Sequence, residues 1–408
     1  MNRDVVVTGI GVLAPNGNGT EEFWSSVRKG QSGIGELDRF DASTAPSRLA
    51  GQIRDFDALE HIPKRLLPQT DVSTRYALAA AAAALQDSEM DLVALPDYEA
   101  GVITSSALGG FEFTHREFRK LWTEGPQSVS VYESFAWFYA VNTGQISIRH
   151  GLRGPGRVLV SEQAGGLDAL GAARSTVLEG TSLVVSGGVD SALDPWGWAS
   201  HIAGGRISRA TDPHRAYLPF DSAADGYVPG EGGAILILED AAAARQRGKS
   251  PYGILAGHAA TFDPRPGSGR PPGLRRAAEL ALRDAGLAPQ DIDVVFADAS
   301  GVPEWDAAEA SALRELFGSG AVPVTAPKAL TGRLYAGGGP LDVVAALLAL
   351  RDSVIPPTAH TTDVPEAYGI DLVRGEPRHQ ELRAALVLAR GKGGFNSAVV
   401  VCAADPTG

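Results

Sequence analysis

The chain has 408 residues, with 36 Lys and Arg against 48 Asp and Glu, and its net charge of −12 speaks against a binder of nucleic-acid backbones. Hydrophobic residues are 44% and charged residues 21%, the balance of a soluble globular protein able to bury roughly three quarters of its unfolded surface. Cys402 is the one cysteine, which excludes an internal disulfide and a cysteine zinc site; no metal is expected, and a reducing cytoplasm is.

Met1-Asn2-Arg3-Asp4 puts a charge pair where a secretory leader wants a basic start and then an apolar run, so no leader is expected. The longest low-polarity stretch, Tyr76 to Leu85, is ten residues, against about 20 for a membrane span. Along the chain, short β-rich runs alternate with Ala-rich helical patterns. Strands are predicted over Val5–Gly9, Gly101–Ser105, Val158–Ser161, Leu183–Gly187 and Ala234–Leu238. A second series covers Gly253–His258, Val294–Ala297, Val322–Thr325, Ala385–Ala389 and Ala398–Cys402. Their apolar residues run consecutively, as in strands buried on both faces. Helices are predicted over Thr74–Asp87, with Asp71 or Ser73 as N-cap, and over Leu167–Glu179, Arg275–Ala285, Ala307–Phe317 and Leu341–Arg351. The Pro/Gly-rich stretch Asp263–Gly273 reads as a surface loop. The two strand series suggest two similar α/β halves, 1–245 and 251–408, with parallel strands and helix crossovers.

Val158-Leu159-Val160-Ser161-Glu162-Gln163-Ala164-Gly165-Gly166 is a strand running into a small-residue turn and then a helix. That is the layout of a nucleophile elbow, where exposed N–H groups and the helix dipole favour an anion. The turn carries Gln163, which is no nucleophile, so an ordinary strand–turn–helix is an equal reading of this segment alone.

Other segments shift that balance. They are Val5-Val6-Val7-Thr8-Gly9-Ile10-Gly11, Leu218-Pro219-Phe220-Asp221 with Asp225-Gly226, and Val185-Ser186-Gly187-Gly188-Val189-Asp190-Ser191. Lys328 with Gly332, and Gly391-Lys392-Gly393-Gly394-Phe395-Asn396, complete the set. In this order and spacing the chain resembles the β-ketoacyl synthases of the thiolase superfamily over nearly its whole length. The resemblance implies an α/β, thiolase-like fold in five αβαβα layers, and a dimer. Condensing members carry a Cys and two His, and this sequence departs at all three places: Gln163, Asp298 in Ala297-Asp298-Ala299-Ser300-Gly301-Val302-Pro303, and Arg333 after Lys328-Ala329-Leu330-Thr331-Gly332. Asp306 and Glu309 follow at the family spacing, and Glu309 and Lys328 are expected to support the relic site. A Gln in place of the Cys resembles the chain-length factors, the ketosynthase β subunits of type II aromatic polyketide synthases. That resemblance implies a catalytic ketosynthase α subunit and an acyl carrier protein as partners. It implies no cofactor, the carrier's phosphopantetheine thioesters being substrates of the complex.

The chemistry agrees. Condensation needs a thiol to hold the acyl chain, and an amide cannot form that intermediate. Asp298, ionised at an ordinary pKa of about 3.9, would repel a malonyl carboxylate and its enolate. Phe111, Thr114 and Phe118 stand at i, i+3 and i+7 on one helical face. Such a stripe is usually core; the resemblance makes these residues candidates for the wall of the tunnel that sets chain length, near the octaketide class. The cluster of Phe135, Trp137 and Phe138 before Asn142 reads as core or subunit interface, and Cys402 as buried filler. The leading function is a non-condensing partner subunit in aromatic polyketide assembly. The runner-up is a malonyl-carrier-protein decarboxylase supplying the primer, with the Gln163 amide mimicking an acylated Cys; a homodimeric condensing enzyme fails on the absent thiol. An Asp298–Arg333 pair at about 2.7–2.9 Å is expected inside the relic site.

Overall fold

The computed structural model describes residues 4–265 and 267–404. Met1 to Arg3, on which the leader expectation partly rests, Pro266 of the predicted loop and the last four residues of the second half lie outside them.

The chain builds an eleven-stranded mixed sheet whose two sides repeat one another. On one side β1 (Val5–Leu13), β5 (Gly232–Asp240), β4 (Leu183–Asp190), β2 (Ala100–Ser105) and β3 (Gly156–Leu159) follow in that order. On the other side β6 (Gly253–Phe262), β10 (Phe395–Cys402), β9 (Ala384–Gly391), β7 (Val294–Phe296) and β8 (Pro323–Thr325) take the same places. In both series the first two pairings are antiparallel and the last two parallel. A two-residue strand, Asp371–Leu372, extends the β8 edge. The halves meet where β1 and β6 pair, at Val6 with Ile254 and Val7 with Gly253.

Three apolar clusters hold five layers together, one at each outer face and one spanning the centre. Helix α1 (Val72–Ser88) covers the outer face of the first half, and α6 (Leu274–Ala285) with α7 (Pro303–Phe317) that of the second. Between the halves lie α4 (Gly165–Leu178) and α8 (Gly338–Asp352). Every residue of α8 from Gly338 to Leu350 is buried, the pattern of a helix packed on all sides. The Ala run of α1 lets it approach β1 closely: a Cβ on Gly9 or Gly11 would sit 2.2 Å or 2.0 Å from the carbonyl oxygens of Ala84 or Ala80. Asp71 is the N-cap of α1, accepting from the Ser73 amide at 2.8 Å and also from the Phe113 amide at 2.9 Å. The αβαβα architecture with two similar halves thus matches the expectation.

Three local expectations are corrected. The strand expected over Val158–Ser161 is β3, two residues earlier, and it runs from exposed to half-buried rather than buried on both faces because it forms the free edge of the sheet. The second-half strand β6 alternates between buried and half-exposed positions, since its far end runs past the core. Cys402 is only half-buried; burial with Asp293 and Asp4 nearby pushes its thiol up to about 11, so it stays protonated and unreactive. Among the described residues no helix is long and apolar enough to cross a membrane.

Candidate functional site

The elbow sits between β3 and α4. Its strained residue is Glu162, at φ 53°, in the left-handed region that non-glycine residues rarely enter. This conformation folds the Glu162 carboxylate back over the turn. One oxygen, Oε2, accepts from the Gln163 amide at 2.7 Å and from the Lys392 amide at 3.0 Å. Two backbone N–H groups, one from each half, thus converge on a single anionic oxygen. That is how an oxyanion hole is built, and here a side chain of the same protein fills it. Gln163 itself is buried, with its amide nitrogen over Gly338: a Cβ there would lie 2.2 Å from Nε2. Its Oε1 has no hydrogen-bond partner among the described residues.

Behind the elbow, Asp298 and Arg333 meet, both 1% exposed. Nη2 of Arg333 lies 3.2 Å from each carboxylate oxygen and donates to the Arg390 carbonyl at 2.6 Å. The pair is therefore longer than expected and uses one nitrogen rather than a two-pronged fork, because the Arg390 carbonyl draws the same nitrogen. Asp298 Oδ1 also accepts from the Arg390 amide at 2.9 Å. Burial alone would depress Arg333, but Asp298 beside it holds the guanidinium more firmly protonated than usual.

Glu309 accepts from the amides of Asp298 and Ala299, each at 2.8 Å, and so fixes the turn that carries Asp298. Burial, reinforced by the Asp298 charge, pushes Glu309 up to about 7. Burial likewise raises Asp306 to about 6, against hydrogen bonds from Phe220, Ser300 and Gly301. Lys328 donates to the Ala297 carbonyl and lies 2.6 Å from Asp342 Oδ2. Asp342 sits at about 6, raised by burial against the pull of Lys328. Two cations and four carboxyls thus fill the space behind Gln163. Such a cluster braces the site; it offers no thiol and no imidazole at the reacting positions. A histidine that the sequence reading did not weigh stands nearby: His201 Nδ1 is 2.7 Å from the Tyr335 hydroxyl, with the rings stacked at 5.3 Å. Burial pushes His201 down to about 4, so it is neutral.

The aromatic face lies on α2 (Phe111–Glu124). Phe111 and Phe118 do share a side, and both pack on Trp196, at 5.2 Å and 5.8 Å between ring centroids. Thr114 is buried beside Glu133, with its hydroxyl unpartnered among the described residues. Trp196 was not singled out in the sequence. Its signal is Asp194-Pro195, an N-cap followed by a first-turn proline, which starts α5 (Pro195–Ala203) and sets Trp196 on its first turn. Trp137, Phe138 and Val160 are each 46% exposed, so the cluster before Asn142 is surface rather than core. Ile148 on α3 (Val141–His150), the helix beside the open edge of β3, is also exposed, as is Val131.

Comparison with known proteins agrees with this geometry. The pattern described as the β-ketoacyl synthase N-terminal domain matches residues 2–244, and that of the C-terminal domain matches 252–362. The chain is 68% identical over 404 residues, 99% of each sequence, to the actinorhodin polyketide β-ketoacyl synthase 2 of Streptomyces coelicolor. It is 57% identical to the tetracenomycin polyketide synthase ketoacyl synthase β subunit of Streptomyces glaucescens, over 97% of this chain and 98% of that one. Among solved structures, a β-ketoacyl synthase from Burkholderia phymatum superposes with TM-score 0.91 at 25% identity, covering 99% of this chain and all of that one. The ishigamide ketosynthase/chain length factor superposes with TM-score 0.90 at 24% identity over the same shares, a likeness of fold. By its sequence and by the replacement of thiol and imidazoles at the elbow, the chain belongs to the β-ketoacyl synthase family, among the ketosynthase β subunits, or chain-length factors, of type II polyketide synthases.

Proposed function

We propose that this chain is the non-condensing subunit of a ketosynthase heterodimer, where it closes the tunnel that holds the growing poly-β-ketone and so sets its length. The observation that carries this reading is the filled elbow site: Gln163, Asp298 and Arg333 replace every reacting group, and Glu162 occupies the N–H pair. The reactive cysteine then belongs to a catalytic α subunit. The open edge of β3, with exposed Trp137, Phe138, Ile148 and Val160 near it, is the surface we assign to that partner. Phe111, Phe118 and Trp196, with Thr114 behind them, are the residues we assign to the closed end of the tunnel. Their bulk suits a chain near the octaketide class. The complex takes its thioesters from an acyl carrier protein in the cytoplasm.

The same geometry disfavours the decarboxylase reading. An enolate formed at the elbow would need the N–H groups that Glu162 holds, and it would face the Asp298 carboxylate. The test is reconstitution with a ketosynthase α subunit and malonyl-loaded carrier protein, with products weighed by mass spectrometry. The expected result is polyketide of one dominant length from the pair and none from either chain alone. Carbon dioxide release from malonyl carrier protein by this chain alone would overturn the reading in favour of a decarboxylase.

A further inference from the structure

His115 lies on α2 four residues after Phe111 and three before Phe118, so the three side chains share a face. Trp196 covers that face, its ring 6.4 Å from His115 as well as against both phenylalanines. The place where Trp196 stands is fixed by Asp194. This buried carboxylate accepts from the amides of Trp196 at 3.1 Å and Gly197 at 3.0 Å, capping α5. Its Oδ2 also lies 2.6 Å from His115 Nδ1. One carboxylate therefore ties the start of α5 to the middle of α2. On the far side of this junction is a groove of about 500 Å³, lined by His115 and Asp194 together with Arg39, Arg116, Arg119 and Lys120. His115 and Asp194 thus partition the aromatic face from an open, charged space.

We propose that His115 and Asp194 are positioning residues that lock Trp196 in place as the end wall, and that losing the lock opens the tunnel toward the groove. The proposal rests on the chain-length reading given above. Its chemistry is simple. Without His115, Asp194 loses its tie to α2, so Trp196 can turn aside as a growing chain presses on it.

The test uses the reconstituted heterodimer with four variants of this chain: His115→Ala, His115→Asn, Asp194→Ser and Trp196→Ala. Asn keeps an N–H donor near the Nδ1 position, and Ser keeps the helix cap while removing the carboxylate. The expected result is that His115→Ala and Asp194→Ser raise the ratio of longer to normal product about fivefold or more, as Trp196→Ala does. His115→Asn should restore the normal length. Unchanged lengths in His115→Ala and Asp194→Ser, with longer products from Trp196→Ala, would overturn the lock and leave the chain-length reading standing. Equal lengthening by His115→Asn would also overturn it, since the donor would then not matter. Unchanged lengths even in Trp196→Ala would remove the chain-length reading and the lock together. If His115→Ala yields no heterodimer, Asp194→Ser decides between the same outcomes.

Discussion

Asp298 receives only one nitrogen of Arg333: Nη2 serves both carboxylate oxygens at 3.2 Å, while Nη1 has no partner among the described residues. Breaking this pair from one side leaves a buried charge uncompensated. Arg333→Ala should therefore destabilise the protein by about 3–5 kcal/mol. Changing both partners together, Asp298→His with Arg333→His, removes both charges and should recover most of that loss. Urea titrations of the three proteins check the order.

The Glu162 carboxylate makes a stronger prediction about revival of the site. Gln163→Cys with Asp298→His and Arg333→His supplies the missing groups, yet the N–H pair stays occupied. Acylation of the introduced thiol should be slow, and adding Glu162→Ala should speed it about 10²-fold or more, the usual worth of an oxyanion donor. Acyl transfer from a carrier protein, followed by intact-protein mass, measures it. Equal rates with and without Glu162 would show that its side chain swings clear.

Glu309 titrates at about 7 in the folded protein, pushed up by burial and by Asp298. An unfolded Glu titrates near 4.3. Between these values the folded state binds the extra proton, so the stability linked to this group is full below about pH 4 and is lost as pH rises through 7. The melting temperature of the wild type, relative to that of Glu309→Gln, should thus fall between pH 5 and pH 8. A wild type that instead gains on the variant as pH rises would contradict the buried, protonated carboxyl.

For the aromatic face, Phe111→Ala or Phe118→Ala should shift products toward longer chains while condensation continues on the partner. Thr114→Trp should shift them shorter. A steric stop of about 1–3 kcal/mol corresponds to a roughly 5- to 150-fold change in partition between extension and release. Product mass spectra paired with thermal melts check it, a lower melt with unchanged lengths marking these side chains as mere packing.

Much of the layered fold was legible because buried strands and Ala-rich helices leave strong local patterns: Val343 to Leu350 is apolar on every side, as the central helix must be. The three replacements at Gln163, Asp298 and Arg333 were legible too, since motif spacing fixes them without any coordinates. Glu162 was not. Its role depends on a positive φ and on an amide from Lys392, 230 residues away, and neither leaves a mark in the local sequence. Trp196 was missed for a similar reason. It sits 78 residues beyond Phe118, and only packing of α5 on α2 brings the two together. The exposed edge of β3 misled the reading because its residues, Val158 and Leu159, look like core when taken alone.

Helix α5 joins two places that have so far been treated apart. Its first turn presents Trp196 to the phenylalanines of α2, and its last turn presents His201 to Tyr335, two residues from Arg333. Five residues of helix, about 7.5 Å of rise, separate them. For an engineer who wishes to transplant product size between relatives, the unit to move is then not a handful of wall residues. It is the strut with both its footings: Asp194 and His115 at one end, His201 and Tyr335 at the other. A graft that carries the wall without the second footing would set the new indole on a helix still registered to the old vestigial centre.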